Sequence, residues 1–322
     1  MRRRELMLFL AGMAILHGAD GRAQEPGRVY RLGIMAGLLR EDSGYVALFD
    51  ELRRSGFVEG RNLQVVSRFS MRVEEAPEVA AMLVAAGVDA ILTGGAHVTR
   101  MAQKATRTIP ILAIADDLVL SGLVTSLAHP GGNTTGVSIL ATELDGKRLE
   151  LLTELVPAAR HIAALADPAN TMPEQLRVLE DAARARGIEL SIHLASKPDE
   201  IVAAIDAAQA SGAQALNVLA APMLDANRRL IIEHAATIKL PAVYQWPDIV
   251  EAGGLAAYGP RRTEVYRQRA RQLIKIFLGA KPGDIPVEQP DKFQLAINLM
   301  TAKALGLTVP QSILGRADEV IE

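Results

Sequence analysis

The sequence predicts an α/β protein built from two doubly wound parallel-sheet lobes. Short apolar runs alternate with longer segments of helical periodicity along the chain, which is typical of parallel strands joined by crossover helices. The 322 residues suffice for two domains of ordinary size. An internal repeat points to two lobes of similar construction.

Residues 1–23 are predicted to be a signal peptide. Three arginines, Arg2, Arg3 and Arg4, precede an apolar stretch at residues 6–16, and small residues lead to a cleavage site after Ala23. The apolar stretch is too short to span a bilayer. We therefore expect export to the periplasm, and Arg3-Arg4 also permits the twin-arginine route.

The strands are predicted where aliphatic and β-branched residues cluster. They are residues 30–35, 63–68, 90–93, 111–114, 135–138, 161–166, 189–193, 215–219, 242–244 and 255–258. Helical spacing is carried by residues 45–55, 76–86, 172–186, 201–210 and 227–237. Four of these helices are followed at once or one residue later by a glycine, a common helix stop: Gly56, Gly87, Gly187 and Gly212.

The repeat lies at an offset of 131 residues. Ala105-Thr106 and Pro110 recur as Ala236-Thr237 and Pro241, and Asp117 recurs as Asp248. In each copy the proline directly precedes a predicted strand, at residues 111–114 and 242–244. Two lobes of similar construction follow from this pattern.

Composition excludes several function classes. The chain has no cysteine, which rules out disulfides, thiolate metal sites and a cysteine nucleophile. Its six histidines lack ligand spacing, and its net charge of −2 offers no footprint for nucleic acid. No nucleophile elbow, phosphate-binding loop, zinc-protease motif or dinucleotide fingerprint is present. We therefore predict a protein that is not an enzyme and uses neither metal nor cofactor.

Ligands of doubly wound sheets bind beyond the carboxyl ends of the strands, so the loops that begin there are the candidate site. The first strand ends at Met35. Gly95 and Ala96 follow the third strand, where backbone N–H groups meet an anion or form a plain tight turn. Asp116 and Asp117 follow the fourth strand and either accept hydrogen bonds from a ligand or cap the next helix.

Two further loops belong to the second half of the chain. Asn170 is a candidate helix cap, the interpretation we favour, or a ligand partner. Gln245 precedes Trp246, the only tryptophan, which stacks on a ligand or belongs to the core.

Six segments together resemble the TrpX-like group of ABC-transporter substrate-binding proteins. They are residues 57–63 (FVEGRNL), 105–111 (ATRTIPI), 129–136 (HPGGNTTG), 147–152 (KRLELL), 250–255 (VEAGGL) with 258–259, and 302–307 (AKALGL). The resemblance implies a type I periplasmic binding protein, a monomer that closes two lobes on a small solute and is recognised by an inner-membrane ABC permease. It places the N-terminal lobe at residues 28–140 plus 259–285, the C-terminal lobe at 141–258 plus 286–322, and the hinge crossings near Leu140, Tyr258 and Pro286.

The resemblance also implies an aromatic amino acid as the solute. By loop position, Gly95 and Ala96 would meet its carboxylate, Asp116 or Asp117 and Asn170 its polar groups, and Gln245, Trp246 and Tyr258 would form the far wall. The chain departs from that pattern at residues 220–222 (AAP), where an acidic or amide residue would meet an ammonium group. Aromatic acids and other small organic solutes therefore stay open, as do a secreted hydrolase using Asp116 or Asp117 and a ligand-sensing module for a signalling partner.

Overall fold

The computed structural model describes residues 27–322, so the predicted signal peptide lies outside the described residues. In chain order the strands are β1 Tyr30–Met35, β2 Leu63–Arg68, β3 Ala90–Gly94, β4 Ile111–Ala115, β5 Thr134–Ser138, β6 His161–Ala166, β7 Glu189–Leu194, β8 Ala215–Val218, β9 Ala242–Tyr244, β10 Ala256–Gly259, β11 Gln294–Asn298 and β12 Glu319–Ile321. The helices are α1 Ser43–Arg54, α2 Ala76–Ala85, α3 Ala96–Ala105, α4 Ala141–Leu155, α5 Pro173–Ala185, α6 Ile201–Ala210, α7 Pro222–Ala226, α8 Arg228–Thr237, α9 Asp248–Glu251, α10 Arg262–Phe277, α11 Leu299–Ala304 and α12 Gln311–Leu314. Across residues 27–322, no helix is both long enough and apolar enough to cross a bilayer.

The strands form two sheets, which confirms the predicted two-lobed α/β fold. The first sheet has the order β2-β1-β3-β4-β5 and is parallel throughout. The second has the order β7-β6-β8-β9-β10-β11-β12, in which only the β10–β11 pair is antiparallel. The first five strands of each lobe are therefore arranged alike, and the repeat covers the equivalent units α3–β4 and α8–β9.

Two helices cover the sheet of the other lobe. α4 follows β5 of the first sheet, yet its Leu149 and Leu152 pack in the core of the second lobe with Ile162 of β6. α10 follows β10 of the second sheet, yet it packs along α1 over the first sheet, where the rings of Phe277 and Tyr30 are 4.9 Å apart. The chain thus passes between the lobes after β5 and after β10.

The buried side of α10 also ties the first sheet together through hydrogen bonds. The guanidinium of Arg269 donates from Nη2 to the carbonyl oxygens of Thr93 and Leu112, at 2.9 and 3.0 Å. Near the third expected crossing, the Glu288 N–H donates to the Gly136 carbonyl at 2.9 Å, so that residue still pairs with β5. The lobe boundaries given above stay predictions.

Gly136 is required where β5 approaches β4. A Cβ at this position would lie 2.0 Å from the carbonyl oxygen of Ala113, and φ is +150°. We expect Gly136→Ala to lower the free energy of unfolding by about 3 kcal/mol, because a backbone clash adds to a strained φ. Gly146→Ala in α4, whose Cβ would meet nothing closer than 3.8 Å, should raise it by about 0.5–1 kcal/mol through helix propensity. Urea unfolding of both variants checks the opposite signs, and an unchanged midpoint for Gly136→Ala would contradict the first.

Candidate ligand-binding site

A cavity of about 60 Å³ lies between the two lobes, at the carboxyl ends of their strands. The first lobe contributes the loops after β1, β3 and β4, and the second contributes the loops after β8 and β9. This is where a pair of doubly wound sheets is expected to hold a ligand. The residues along its wall are Ala36, Gly37, Leu38, Tyr45, Gly94, Gly95, Ile114, Ala115, Asp116, Ile139, Ala221, Pro222, Asp225, Gln245, Trp246, Arg262 and Tyr266.

Four of the sequence-predicted residues meet at this cavity: Gly95, Asp116, Gln245 and Trp246. The first two come from the first lobe and the other two from the second. Two of the four carry buried side-chain atoms with no hydrogen-bond partner in the protein, Oδ2 of Asp116 and Nε2 of Gln245. The cavity therefore presents one unpaired acceptor and one unpaired donor, each from a different lobe.

The Asp116 carboxyl has an unusual electrostatic environment. Burial raises its pKa well above the ordinary range, and the negative charges of Asp145, Asp167 and Asp117 act in the same direction. The guanidinium of Arg148 opposes them, but it is engaged by Asp145, which also accepts from Gln175 at 2.6 Å. A cationic group in the cavity would supply the positive partner that this carboxyl lacks.

Asp117 has a different role from its neighbour. Its Oδ1 accepts hydrogen bonds from the N–H groups of Val119 and Leu120, both at 2.8 Å, and it is not on the cavity wall. It closes a turn rather than capping a helix, since the next helix begins only at Ala141. The two carboxyls thus diverge, and the paired-carboxylate arrangement of a hydrolase is not formed.

Asn170 lies beside the cavity, and the prediction that it caps a helix is wrong. α5 begins only at Pro173, after Met172. The side chain of Asn170 donates to Oδ2 of Asp167 at 2.7 Å, and its Oδ1 faces the His97 N–H at 3.5 Å. Asn170 therefore touches the first lobe at the amino end of α3, where the lobes meet.

Three predicted residues lie away from the cavity wall. Met35 is fully buried in the core beneath α2, and Ala96 packs with Leu118 and Val124. Tyr258 lies beside a separate cavity of the second lobe with its ring 6.4 Å from that of Phe293. Successive side chains of a strand point to opposite faces, which explains why the end of β10 does not present this ring to the interlobe cavity.

The aromatic wall includes residues that the sequence did not single out. Tyr45 and Tyr266 make an edge-to-face pair with ring centroids 5.1 Å apart, and burial raises the pKa of both hydroxyls. Trp246 is 5 % exposed and belongs to the core as well as to the cavity wall. That it stacks on a ligand stays a prediction. The guanidinium of Arg262 lies over the Trp246 ring at 4.9 Å.

Contacts between the lobes close the cavity. A Cβ at Gly95 would lie 2.5 Å from Oδ1 of Asn170 and 2.7 Å from Cγ of Pro222, so this glycine lets the second lobe approach. Nothing in residues 27–322 groups three or more metal-ligating side chains. The arrangement is suited to enclosing a small polar solute with an apolar portion.

Two α/β lobes with a closed interlobe cavity define a type I periplasmic binding protein fold. Residues 41–321 match the family model of the ABC transporter substrate binding proteins. The chain belongs to that family, as its sequence motifs predict.

Three known proteins are similar over most of the chain. A tyrosine-binding protein of Clostridioides difficile (strain R20291) is 28 % identical over 264 residues, which cover 80 % of this chain and 74 % of the relative. A conserved domain protein of Vibrio cholerae has a TM-score of 0.83 at 26 % identity, covering 91 % of this chain and 99 % of that one. An ABC domain in complex with L-Trp from Streptococcus pneumoniae has a TM-score of 0.82 at 23 % identity, covering 91 % and 100 %.

Proposed function

We propose that this protein binds an aromatic α-amino acid between its lobes in the periplasm and delivers it to an inner-membrane ABC permease. The observation that carries the proposal is the pairing of two unsatisfied groups at one cavity, the carboxyl of Asp116 and the side-chain amide of Gln245. A solute with both an ammonium and a carboxylate group satisfies both of them. This argument depends only on the two groups at the cavity. Tyrosine and tryptophan, the ligands named for two of the similar proteins, both belong to the same chemical class.

The ammonium group is assigned to Asp116. An ionised carboxyl in an apolar, buried setting gains most from a directly bonded cation, because the surrounding dielectric is low. Asp116 would thus take the role of the acidic or amide residue that is missing at residues 220–222, where the sequence pattern of amino-acid binders places the partner of the ammonium group.

The carboxylate group is assigned to Gln245 of the second lobe, with the amino end of α3 in the first lobe also beside the cavity. α3 begins at Ala96, directly after Gly95 on the cavity wall, and the partial positive charge of a helix amino end favours an anion. The aromatic side chain would then lie against Trp246, Tyr45 and Tyr266. Solute contact with both lobes favours the closed arrangement, which is the form a permease would recognise.

The proposal is tested by titration calorimetry with a matched ligand series. L-tryptophan, L-tyrosine and L-phenylalanine should bind, whereas indole-3-acetate, which lacks the ammonium group, and tryptamine, which lacks the carboxylate, should bind at least about tenfold more weakly. L-leucine, which carries the ammonium and carboxylate groups without an aromatic ring, tests the contribution of the aromatic wall. Equal affinity for indole-3-acetate and L-tryptophan would contradict the Asp116 assignment, and chemical conversion of a bound ligand would favour the hydrolase instead.

A further inference from the structure

A buried ion cluster joins the two lobes next to the cavity. Oδ2 of Asp42, at the start of α1 in the first lobe, lies 3.2 Å from Nη2 of Arg228 and 3.6 Å from Nη1 of Arg262. Arg228 opens α8 of the second lobe, and the side chains of Asp42 and Arg262 are only 3 % and 2 % exposed. Asp42 is thus the one acidic group that the first lobe contributes to this cluster.

Arg262 pairs with carboxylates of the second lobe, although it begins α10, which packs over the first sheet. It forms two parallel hydrogen bonds with the carboxylate of Asp225, at 2.5 and 2.7 Å, and its Nε lies 3.4 Å from Asp248. A bidentate arginine–carboxylate pair fixes the guanidinium in one orientation. Arg262 therefore joins the two lobes through Asp225 and Asp248, whereas Asp42 joins them through Arg228.

Both arginines occupy helix positions that disfavour positive charge. Arg228 is the first residue of α8 and Arg262 the first residue of α10. The amino end of a helix carries partial positive charge, so a cation there is unfavourable for the helix itself. The acidic side chains around them compensate, and for Arg228 the carboxylate in the cluster is that of Asp42, across the lobe boundary.

We propose that Asp42 is a positioning residue that latches the closed arrangement of the lobes through Arg228. Neither Asp42 nor Arg228 lines the cavity that contains Asp116 and Gln245, although both line the adjoining cleft between the lobes. A hinge opening would separate Asp42 from Arg228, because α1 belongs to the first lobe and α8 to the second. The latch shifts the open–closed equilibrium by the energy of this contact, and so sets the apparent affinity for any solute that closes the protein.

Asp42→Asn isolates the charge from the structural role of this side chain. Oδ1 of Asp42 accepts the Gly44 N–H at 3.1 Å and so caps α1, and asparagine caps helices as well as aspartate does. Arg228→Gln removes the other partner. Arg229→Gln is the matched control, because the neighbouring Arg229 is 91 % exposed and pairs only with Glu233 of its own helix.

The closed fraction can be measured directly, because the chain contains no cysteine of its own. Met82 in α2 and Met300 in α11 are exposed and lie in different lobes. Spin labels on Met82→Cys and Met300→Cys report the interlobe distance by pulsed electron resonance, without solute and with L-tryptophan. We expect Asp42→Asn and Arg228→Gln each to lower the closed-to-open ratio about tenfold, and Arg229→Gln to leave it unchanged.

The combined variant Asp42→Asn/Arg228→Gln should fall short of the product of the two single effects, since the two residues share one contact. High salt should reduce the difference between parent and variants, because the Arg228 side chain is 33 % exposed. Equal closed fractions in all five labelled proteins, with and without L-tryptophan, would overturn the latch.

The affinity part of this inference rests on the proposed function, and the two fail in different ways. If L-tryptophan does not change the distance distribution of the parent while the variants differ from it, the latch stands and the proposed solute is wrong. If L-tryptophan closes the parent and both variants equally, the proposed solute stands and the latch is wrong.

Discussion

Asp116→Asn should weaken binding of an aromatic amino acid at least about 30-fold while making the solute-free protein more stable. Removing one partner of a buried charge pair costs about 2–5 kcal/mol of binding free energy. The gain in stability arises because the carboxylate of Asp116 is buried without a hydrogen-bond partner for Oδ2. Asparagine keeps the shape and removes the charge that burial disfavours.

The same carboxyl predicts two opposite pH dependences. Burial raises the pKa of Asp116 in the folded protein above its value in the unfolded chain, so the folded state holds a proton over a wider pH range. The stability of the solute-free protein should therefore fall as pH rises from the ordinary aspartate pKa through the raised one. Affinity for the ammonium group should instead rise over that window, because the ionised carboxyl binds it. Both contributions should vanish in Asp116→Asn.

Titration calorimetry and thermal unfolding between about pH 4 and pH 8, a window that starts near the ordinary aspartate pKa, check these expectations. Asp117→Asn is the matched control, since its oxygen keeps accepting the two turn N–H groups and its side chain is not on the cavity wall. If Asp116→Asn binds L-tryptophan as tightly as the Asp117→Asn control, the ammonium group does not meet Asp116.

Gly95→Ala should weaken solute binding at least about tenfold by holding the lobes apart. Its Cβ would be placed 2.5 Å from Oδ1 of Asn170 and 2.7 Å from Cγ of Pro222, and both of those atoms belong to the second lobe. Closing the lobes would require one of them to move, which costs about 1–3 kcal/mol for an overpacked contact. The binding free energy should decrease by the same amount, because the solute must then bind and also close the lobes against this contact.

The backbone of Gly95 complicates this test, because its φ is +82° and alanine is strained there in any environment. Gly122→Ala is the control for strain alone: φ is +65° and a Cβ would meet nothing within 4 Å. Calorimetry gives the affinities, and small-angle scattering with saturating L-tryptophan gives the radius of gyration. A compact Gly95→Ala protein with the affinity of Gly122→Ala would show that this contact does not limit closure.

The strands β1 to β10 and the helices α1, α2, α5, α6 and α8 were predictable because their segments carry clear periodicity. The predicted helices did not include α4 and α10, the two that cross between the lobes. The sequence did not reveal β11 and β12. β11 has only three apolar residues, and β12 is three residues long, so neither carries a measurable alternation. They are stabilised by pairing outward from β10, a tertiary effect that a local pattern does not contain.

The cavity was predictable from strand ends, but not the orientation of each side chain. Asp116 and Asp117 are adjacent, yet one lies on the cavity wall and the other closes a turn. Arg262 escaped prediction because its burial depends on Asp42, Asp225 and Asp248, which are distant in sequence. The sequence did contain one signal for Arg262. A positively charged residue at the first position of a helix is unfavourable unless an anionic side chain lies nearby.

The crossing of α4 and α10 to opposite sheets has a consequence for how this chain can fold. Each half of the chain contributes one helix to the lobe of the other half, as in a domain-swapped dimer whose two subunits are joined into one chain. A fragment ending at residue 139 would lack α10 and expose Tyr30 and Phe57, whose rings pack on Phe277. The halves are therefore not autonomous folding units, and we expect one cooperative unfolding transition in place of two.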